Sequence, residues 1–438
     1  MRGHLSNAVY GTLDYLAYPL GMLAAAPIAL RALGIDRYGI WMVATAAIST
    51  GAIAASGFGD ANIRMVATQE ATGNRDAIVT AVRTTLGIHI ALGAVMALIG
   101  CMIAPWLTDR VVAGHPELRA DCLWSLRLAS LLMLLRAIET VCVSTQRAFA
   151  RYGAAMAVSL TARIASLVAA CILPFFVRSV SLIVLATAIL TGAAVWIQFR
   201  QLHKLLGVPR LRPQLDPATA TALLSFGIFT WIQAMAGLLF GQVDRLIAGA
   251  AFGAAAVTSY AFCAQLSQPI YGVAAAGLHF LFPDLARKKA RGSAAIRRSV
   301  TLAFAANLLF VALSLLGLLL FGNAILKVWG GSAIAQSSVR LLPLIASSAA
   351  LSALGVTGTY SMLALGHVRV VTLLNVMGGL AMLASTYWLL PRFGLEGMGY
   401  ARLLYGPFAL MVYVPLVALL VRNSRTSVPA NAAVYEEA

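Results

Sequence analysis

Residues Leu123 to Phe149 read LWSLRLASLLMLLRAIETVCVSTQRAF. The run is apolar enough to cross a bilayer, yet Arg127, Arg136 and Glu139 stand inside it. A charge at the centre of the hydrocarbon costs at least about 2.5 kcal/mol on the most forgiving insertion scale, so such residues face a cavity or a partner. At about 100° per residue, Arg136 and Glu139 lie about 60° apart on one helical face, which Thr140 and Arg147 continue, whereas Arg127 is nearly opposite. The pattern predicts one intramembrane polar site on this helix, built on Arg136 and Glu139.

The composition extends this reading to the whole chain. Of 438 residues, 61% are hydrophobic and 11% charged, whereas about a quarter of a soluble domain is charged. The chain therefore reads as an all-α polytopic membrane protein. A net charge of +17 would suggest nucleic acid in a soluble chain. Here the basic residues gather in short loops between apolar runs, as cytoplasmic loops do, and no nucleic-acid partner is expected. Cys101, Cys122, Cys142, Cys171 and Cys263 lie in or beside apolar runs, without CxxC or Cys/His spacing, and read as small hydrophobes. Arg2 and His4 precede a long apolar run without a small-residue cleavage site, which predicts a retained first helix.

At about 20 residues per span, twelve spans are predicted, near 6–30, 38–58, 84–105, 121–145, 153–175, 181–200, 221–243, 255–282, 300–322, 338–363, 370–390 and 398–421. One set of faces then receives about 19 Lys and Arg, the other about 8, with about 5 left inside spans. The richer set is cytoplasmic and includes both termini. It also includes the loops Arg200 to Arg212 and Asp284 to Arg298 (DLARKKARGSAAIRR), where contact with membrane phospholipid headgroups is expected.

The halves resemble each other at an offset of about 219 residues. Leu5 and Ser6 match Leu224 and Ser225, Gly34 matches Gly253, Ala55 matches Ala274, Gly73 matches Gly292 and Leu107 matches Leu326. An even number of spans per copy makes the copies parallel, related by a pseudo-two-fold axis along the membrane normal. Two six-helix lobes follow, 1–205 and 221–421. A cytoplasmic linker, 206–220, contains PRLRPQLDP (Pro209 to Pro217), whose prolines oppose helix. Residues 422–438 form a cytoplasmic tail.

Leu30 to Ala67, LRALGIDRYGIWMVATAAISTGAIAASGFGDANIRMVA, resembles the opening of the polysaccharide flippases, the O-antigen and exopolysaccharide translocases of the multidrug/oligosaccharidyl-lipid/polysaccharide exporter superfamily. DRLIAGAAFGAAAVTSYAFCAQL (Asp244 to Leu266), LGHVRVVTLLNV (Leu365 to Val376) and LLPRFGLEGMGYARLL (Leu389 to Leu404) carry the resemblance through the second half. It implies a V-shaped two-lobe exporter fold in the bacterial inner membrane. It also implies translocation of a polyprenyl-diphosphate-linked oligosaccharide from the cytoplasmic to the periplasmic leaflet by alternating access, with polysaccharide polymerase or export proteins as candidate partners. The twelve expected spans leave none to match the two additional C-terminal helices of the lipid II flippases, so the polysaccharide branch is the one expected. Read from the residues themselves, Gly34 and Gly39 flank Asp36 and Arg37 in a tight external turn, with Tyr38 and Trp41 in the interfacial belt.

At about 1.5 Å of rise per residue, Arg136 sits about 14 Å from the cytoplasmic end of its helix, Arg163 about 15 Å along the next one and Asp14 about 12 Å along the first. Glu139 lies about one turn nearer the cytoplasm. Two readings of this stratum stand. Either the arginines neutralise Glu139 and Asp14 in a network that ties helices together, or the guanidinium groups line a cavity and bind diphosphate, for which their permanently charged planar fork is suited. In the second, Asp14 or Glu139 is a candidate proton or coupling-ion acceptor. The counterparts in the other half, Gln233, Gly355, Gly358 and Met382, are uncharged.

Arg127, Asp244, Arg245, Arg340 and Arg402 fall near external span ends, where Arg340 and Arg402 form a candidate exit-side anion patch. Trp106, Trp124, Trp329 and Trp388 suit an aromatic belt. His4, His89, His115, His203, His279 and His367 are expected at span ends or in loops. The chain contains no HExxH, nucleophile elbow or phosphate-cradling glycine loop, so no catalytic residue, metal or cofactor is expected. Two other functions compete with the leading one. A cation-coupled drug or metabolite exporter of the same superfamily would need acidic residues to dominate the cavity, and a membrane-embedded transferase would need a catalytic cluster at one interface.

Overall fold

A computed structural model describes residues 19–56, 58–208, 210–278, 281, 284–285 and 293–425. Its first half runs α1 (Pro19–Leu33), α2 (Ile35–Ser56), α3 (Gly59–Ala71), α4 (Arg75–Val111), α5 (Arg119–Ala148), α6 (Tyr152–Ile172) and α7 (Val180–Leu206). The second runs α8 (Pro217–Gly241), α9 (Val243–Phe252), α10 (Ala254–Leu278), α11 (Ser293–Gly330), α12 (Ser332–Ser338), α13 (Leu341–Ala364), α14 (Val368–Phe393), α15 (Leu395–Leu403), α16 (Tyr405–Met411) and α17 (Tyr413–Arg425). Helix is the form that satisfies every backbone donor and acceptor within a hydrocarbon-embedded segment. Eight helical runs among the described residues are long and apolar enough to cross a membrane. Of the twelve expected spans, 6–30 and 255–282 run partly outside the described residues, and the fully described helix over 121–145 is not among the eight.

Sequence signals set several helix ends. Asn74 caps α4 by accepting a 3.1 Å hydrogen bond from the Ala77 amide, and Gly207, at φ +60°, closes α7. Asp216 caps α8 by accepting from the Thr219 amide at 2.8 Å. That bonding to Thr219 holds the Asp216 carboxyl below the usual carboxylate range.

The structure departs from expectation at four points. The segment read as a loop after residue 58 is α3, a polar helix with buried Gly59, Ala61, Asn62 and Val66. Helices α4 and α11 outrun the predicted 84–105 and 300–322, because helical hydrogen bonding continues past the apolar core into charged ends. His89 consequently lies well inside α4 and is fully buried, not at a span end. Gly39 is not a turn glycine. It lies in α2, and a Cβ there would overlap the Ala254 carbonyl. Tyr38 and Trp41 are buried in the core, not in an interfacial belt.

The chain divides into two compact units, residues 1–265 with 326–338, and residues 266–325 with 339–438. In the first, α5 is the central element, packed against α2, α3, α4 and α7. Helices α2 and the start of α10 meet closely: Thr258 Oγ1 donates to the Ile35 carbonyl at 2.7 Å, next to the Gly39–Ala254 approach. Tyr38 and Trp329 both pack on Phe262, with ring centroids 5.2 and 4.6 Å apart. Trp329 also donates to the Leu23 carbonyl at 3.0 Å, which takes it out of the expected belt. Trp106, Trp124 and Trp388 are exposed, as a belt requires.

In the second unit, α13 packs against α15 and α16 through small residues. Gly355 approaches the Ala409 carbonyl, and Gly358 approaches Val412 and Tyr413. Leu278, Leu281, Leu285, Ile296, Val300, Val356, Met362, Val371 and Leu416 form its main apolar cluster.

Shifted by about 219 residues, the bounds of α2, α4, α5, α6 and α7 fall on those of α10, α11, α13, α14 and the run α15 to α17, each to within about four residues. Gly34 and Gly253, matched at that offset, break the chain at φ +83° and +81°. His89 Nδ1 bonds the Ala137 carbonyl at 3.1 Å. Asn307, at the equivalent level of α11, donates to the Ala353 carbonyl at 2.9 Å.

Candidate functional site

The expected polar site on α5 forms. Arg136 Nη1 donates to Glu139 Oε2 at 2.7 Å, with side chains 16% and 5% exposed. Ser159 Oγ of α6 donates to the other oxygen, Oε1, at 2.7 Å, and Gln198 Nε2 of α7 donates to Ser159 Oγ at 2.8 Å. Both carboxylate oxygens are thereby bonded, and one line of polar groups ties α5, α6 and α7 together. A carboxylate buried this deeply would be costly without such partners.

Two cavities adjoin at this point. One, of about 410 Å³, is lined by Asp60, Arg136, Glu139, Arg147 and Arg163 among others. The other, of about 210 Å³, is lined by Trp41, Thr45, Ser49, Ser166 and Thr187 together with apolar Ile48, Leu167 and Val184. Ala52, Arg136 and Arg163 line both, so the two guanidinium groups stand at the junction. Arg163 is also close enough to act electrostatically on Glu139.

The larger cavity combines three guanidinium groups with two carboxylates. Arg147 continues the Arg136 face, as helical spacing predicts. Asp60 is the residue that sequence reading passed over, because α3 is too polar to register as a span. Its signal was the spacing of Gly59, Asn62 and Val66, which face the core together. Asn62 fixes α3 in place, donating to Ser144 Oγ at 2.8 Å and Thr145 Oγ1 at 2.9 Å while accepting from Thr85 Oγ1 at 3.2 Å. Gly59 lets α3 approach α5, since a Cβ there would lie 3.2 Å from the Thr140 methyl.

The other candidates lie elsewhere. Asp14 falls outside the described residues. Arg127 projects away from the cavity, 5.4 Å over the Trp124 ring. In the second unit, Arg340 is 80% exposed and 3.7 Å from Glu396, and the backbone carbonyl of Arg402 accepts from Ser348 Oγ at 2.9 Å. Helix α13 carries no charged residue, and its Gly355 and Gly358 are filled by neighbouring side chains and backbone. Among the described residues, the charges that line the two cavities come from α3, α5 and α6.

The fold is that of known transporters. An inward-facing multidrug resistance MATE family transporter of the MOP superfamily superposes with a TM-score of 0.76 at 13% identity, covering 95% of this chain and 99% of that one. The lipid II flippase MurJ, in an inward closed conformation, superposes with a TM-score of 0.74 at 10% identity, covering 97% and 94%. A MOP superfamily transporter from Pyrococcus furiosus gives 0.61 at 13% identity, covering 96% of each chain. No curated protein sequence matches. This is a multi-pass membrane protein with the fold of the MOP superfamily transporters. Its sequence matches the polysaccharide biosynthesis protein family over residues 6–289, well over half its length, and the chain belongs to that family.

Proposed function

We propose that this protein translocates a polyprenyl-diphosphate-linked oligosaccharide from the cytoplasmic to the periplasmic leaflet of the bacterial inner membrane by alternating access between two six-helix lobes, 1–205 and 221–421. The linker 206–220 joins the lobes, and both termini, including the tail 422–438, are cytoplasmic. The observation that carries this reading is the pair Arg136 and Arg163, brought from two helices to the junction of two cavities. A fixed, permanently charged guanidinium pair suits a diphosphate better than a cationic or neutral drug.

In this reading Glu139 holds Arg136 until the substrate arrives. A diphosphate competes for the guanidinium, and the released carboxylate becomes a candidate acceptor for a proton or coupling ion, a role that Asp14 shares. With both oxygens bonded in the resting arrangement, Glu139 is poorly placed as a permanently open cation site. Arg340 and Arg402 serve as an exit-side anion patch, tempered by Glu396. Membrane phospholipids surround the helices, and polysaccharide polymerase or export proteins receive the product. Glycan export in cells whose only copy carries Arg136→Gln or Arg163→Gln, compared at equal protein abundance, tests the reading.

A further inference from the structure

The smaller cavity has a distinct chemistry. Three of its four hydroxyls have their protons committed: Thr45 Oγ1 donates to the Met42 carbonyl at 2.9 Å, Ser166 Oγ to Ala162 at 2.7 Å and Thr187 Oγ1 to Ile183 at 2.9 Å. A hydroxyl that donates backwards along its own helix still offers acceptor lone pairs outwards. Three helices thus present hydrogen-bond acceptors to a space whose remaining wall is Trp41, Ile48, Leu167 and Val184. Trp41 is held edge-on to Tyr38, with centroids 5.6 Å apart, so its ring is oriented before any ligand arrives. At the mouth stand the donors, Arg136 and Arg163.

A prenyl chain would leave those lone pairs unanswered, and an anion drawn to Arg136 and Arg163 would find no donor among these three hydroxyls. A ring bearing several O–H donors around an apolar C–H face answers both the acceptors and the indole. In a sugar linked through diphosphate, the first ring is bonded directly to that diphosphate, so a guanidinium-bound diphosphate at the junction delivers it to this cavity, whose volume of about 210 Å³ suits one monosaccharide. We infer that the pocket formed by Trp41, Thr45, Ser49, Ser166 and Thr187 is the subsite for the first, diphosphate-linked sugar of the substrate and reads its hydroxyl pattern.

This subsite rests on the diphosphate reading of Arg136 and Arg163, and the test separates the two. Purified full-length protein in lipid nanodiscs is titrated with farnesyl diphosphate and with farnesyl diphosphate carrying a single glucose or galactose. The wild type is expected to bind at least one glycosylated probe about tenfold more tightly than the bare one, the worth of one to two net hydrogen bonds. Thr45→Val/Thr187→Val, which keeps side-chain shape, should bring all probes to within about twofold while retaining the bare-probe affinity. Equal wild-type binding of all three probes, an unchanged gap in the double variant, or a parallel loss of all affinities in it would overturn the subsite. Failure of the wild type to bind any probe, or unchanged binding by Arg136→Gln/Arg163→Gln, would instead overturn the diphosphate reading, and the subsite with it.

Discussion

Thr258 Oγ1 donates a hydrogen bond to the carbonyl of Ile35, 223 residues earlier in the chain. Beside it Gly39 presses on the carbonyl of Ala254. A shift of about 219 residues converts Ile35 into Ala254 and Gly39 into Thr258, so each contact is the counterpart of the other. Reciprocal contacts of this kind are what a two-fold relation between like segments produces. They support the internal repeat read from a few matched residues, with the side chain differing on the two sides: a hydroxyl at 258 and no side chain at 39.

Gly39→Ala should therefore destabilise the protein by about 1–3 kcal/mol, since the obstacle is backbone rather than a movable side chain. Gly34→Ala, at φ +83°, should cost about 1–2 kcal/mol for a different reason, the left-handed backbone. Gly114→Ala meets nothing within 4 Å and should be neutral. Thermal unfolding of the three variants in one detergent checks the order, and a neutral Gly39→Ala would contradict the close approach.

Asn62 is predicted to decide whether α3 stays against α5. Asn62→Ala removes three hydrogen bonds from a buried cluster and should cost about 1–3 kcal/mol. Amide hydrogen exchange should accelerate across Gly59 to Ala71 more than in α6, and export should fall as Asp60 loses its place at the cavity wall. Unchanged exchange in α3 would show that apolar packing alone holds it.

Much of this was readable in the sequence because bilayer physics is severe. An apolar run must be helical, and a charge within it must face something polar, so α5 and the shared face of Arg136, Glu139 and Arg147 followed from spacing alone. What hydropathy misses is polar helix. Helix α3 carries Asp60, Arg64 and Glu70 and earns its place through Asn62, whose partners Thr85, Ser144 and Thr145 come from two other helices. Glycine was ambiguous for a related reason: Gly34 and Gly39 look alike in sequence, yet one sits at a positive φ and the other against a distant carbonyl. Serine and threonine gave no signal either. Ser159 and Gln198, which complete the Glu139 network, are unremarkable until α5, α6 and α7 are assembled.

The orientation rests on the Lys and Arg asymmetry. In a cysteine-free background, Ser293→Cys should resist a membrane-impermeant thiol reagent in intact cells and react after permeabilisation, whereas Gly114→Cys should react in intact cells. The opposite pattern would invert the topology and the direction of transport with it.

The conservative variants separate diphosphate binding from a purely structural role for the bridge. Lys at 136 or 163 should retain part of the activity, because it keeps the charge and loses the bidentate fork. If the Arg136–Glu139 pair only held helices together, Arg136→Gln would lower abundance by stranding a buried carboxylate, and adding Glu139→Gln would restore both abundance and export.

Glycan export by the Arg136→Gln/Arg163→Gln protein, in cells lacking any other copy and normalised to the amount inserted in the membrane, is the most direct test. Diphosphate binding at the cavity junction predicts a stable, inserted protein whose export is lost by at least about a hundredfold, the scale of two charge-assisted contacts. Normal export from that same stable protein would contradict it.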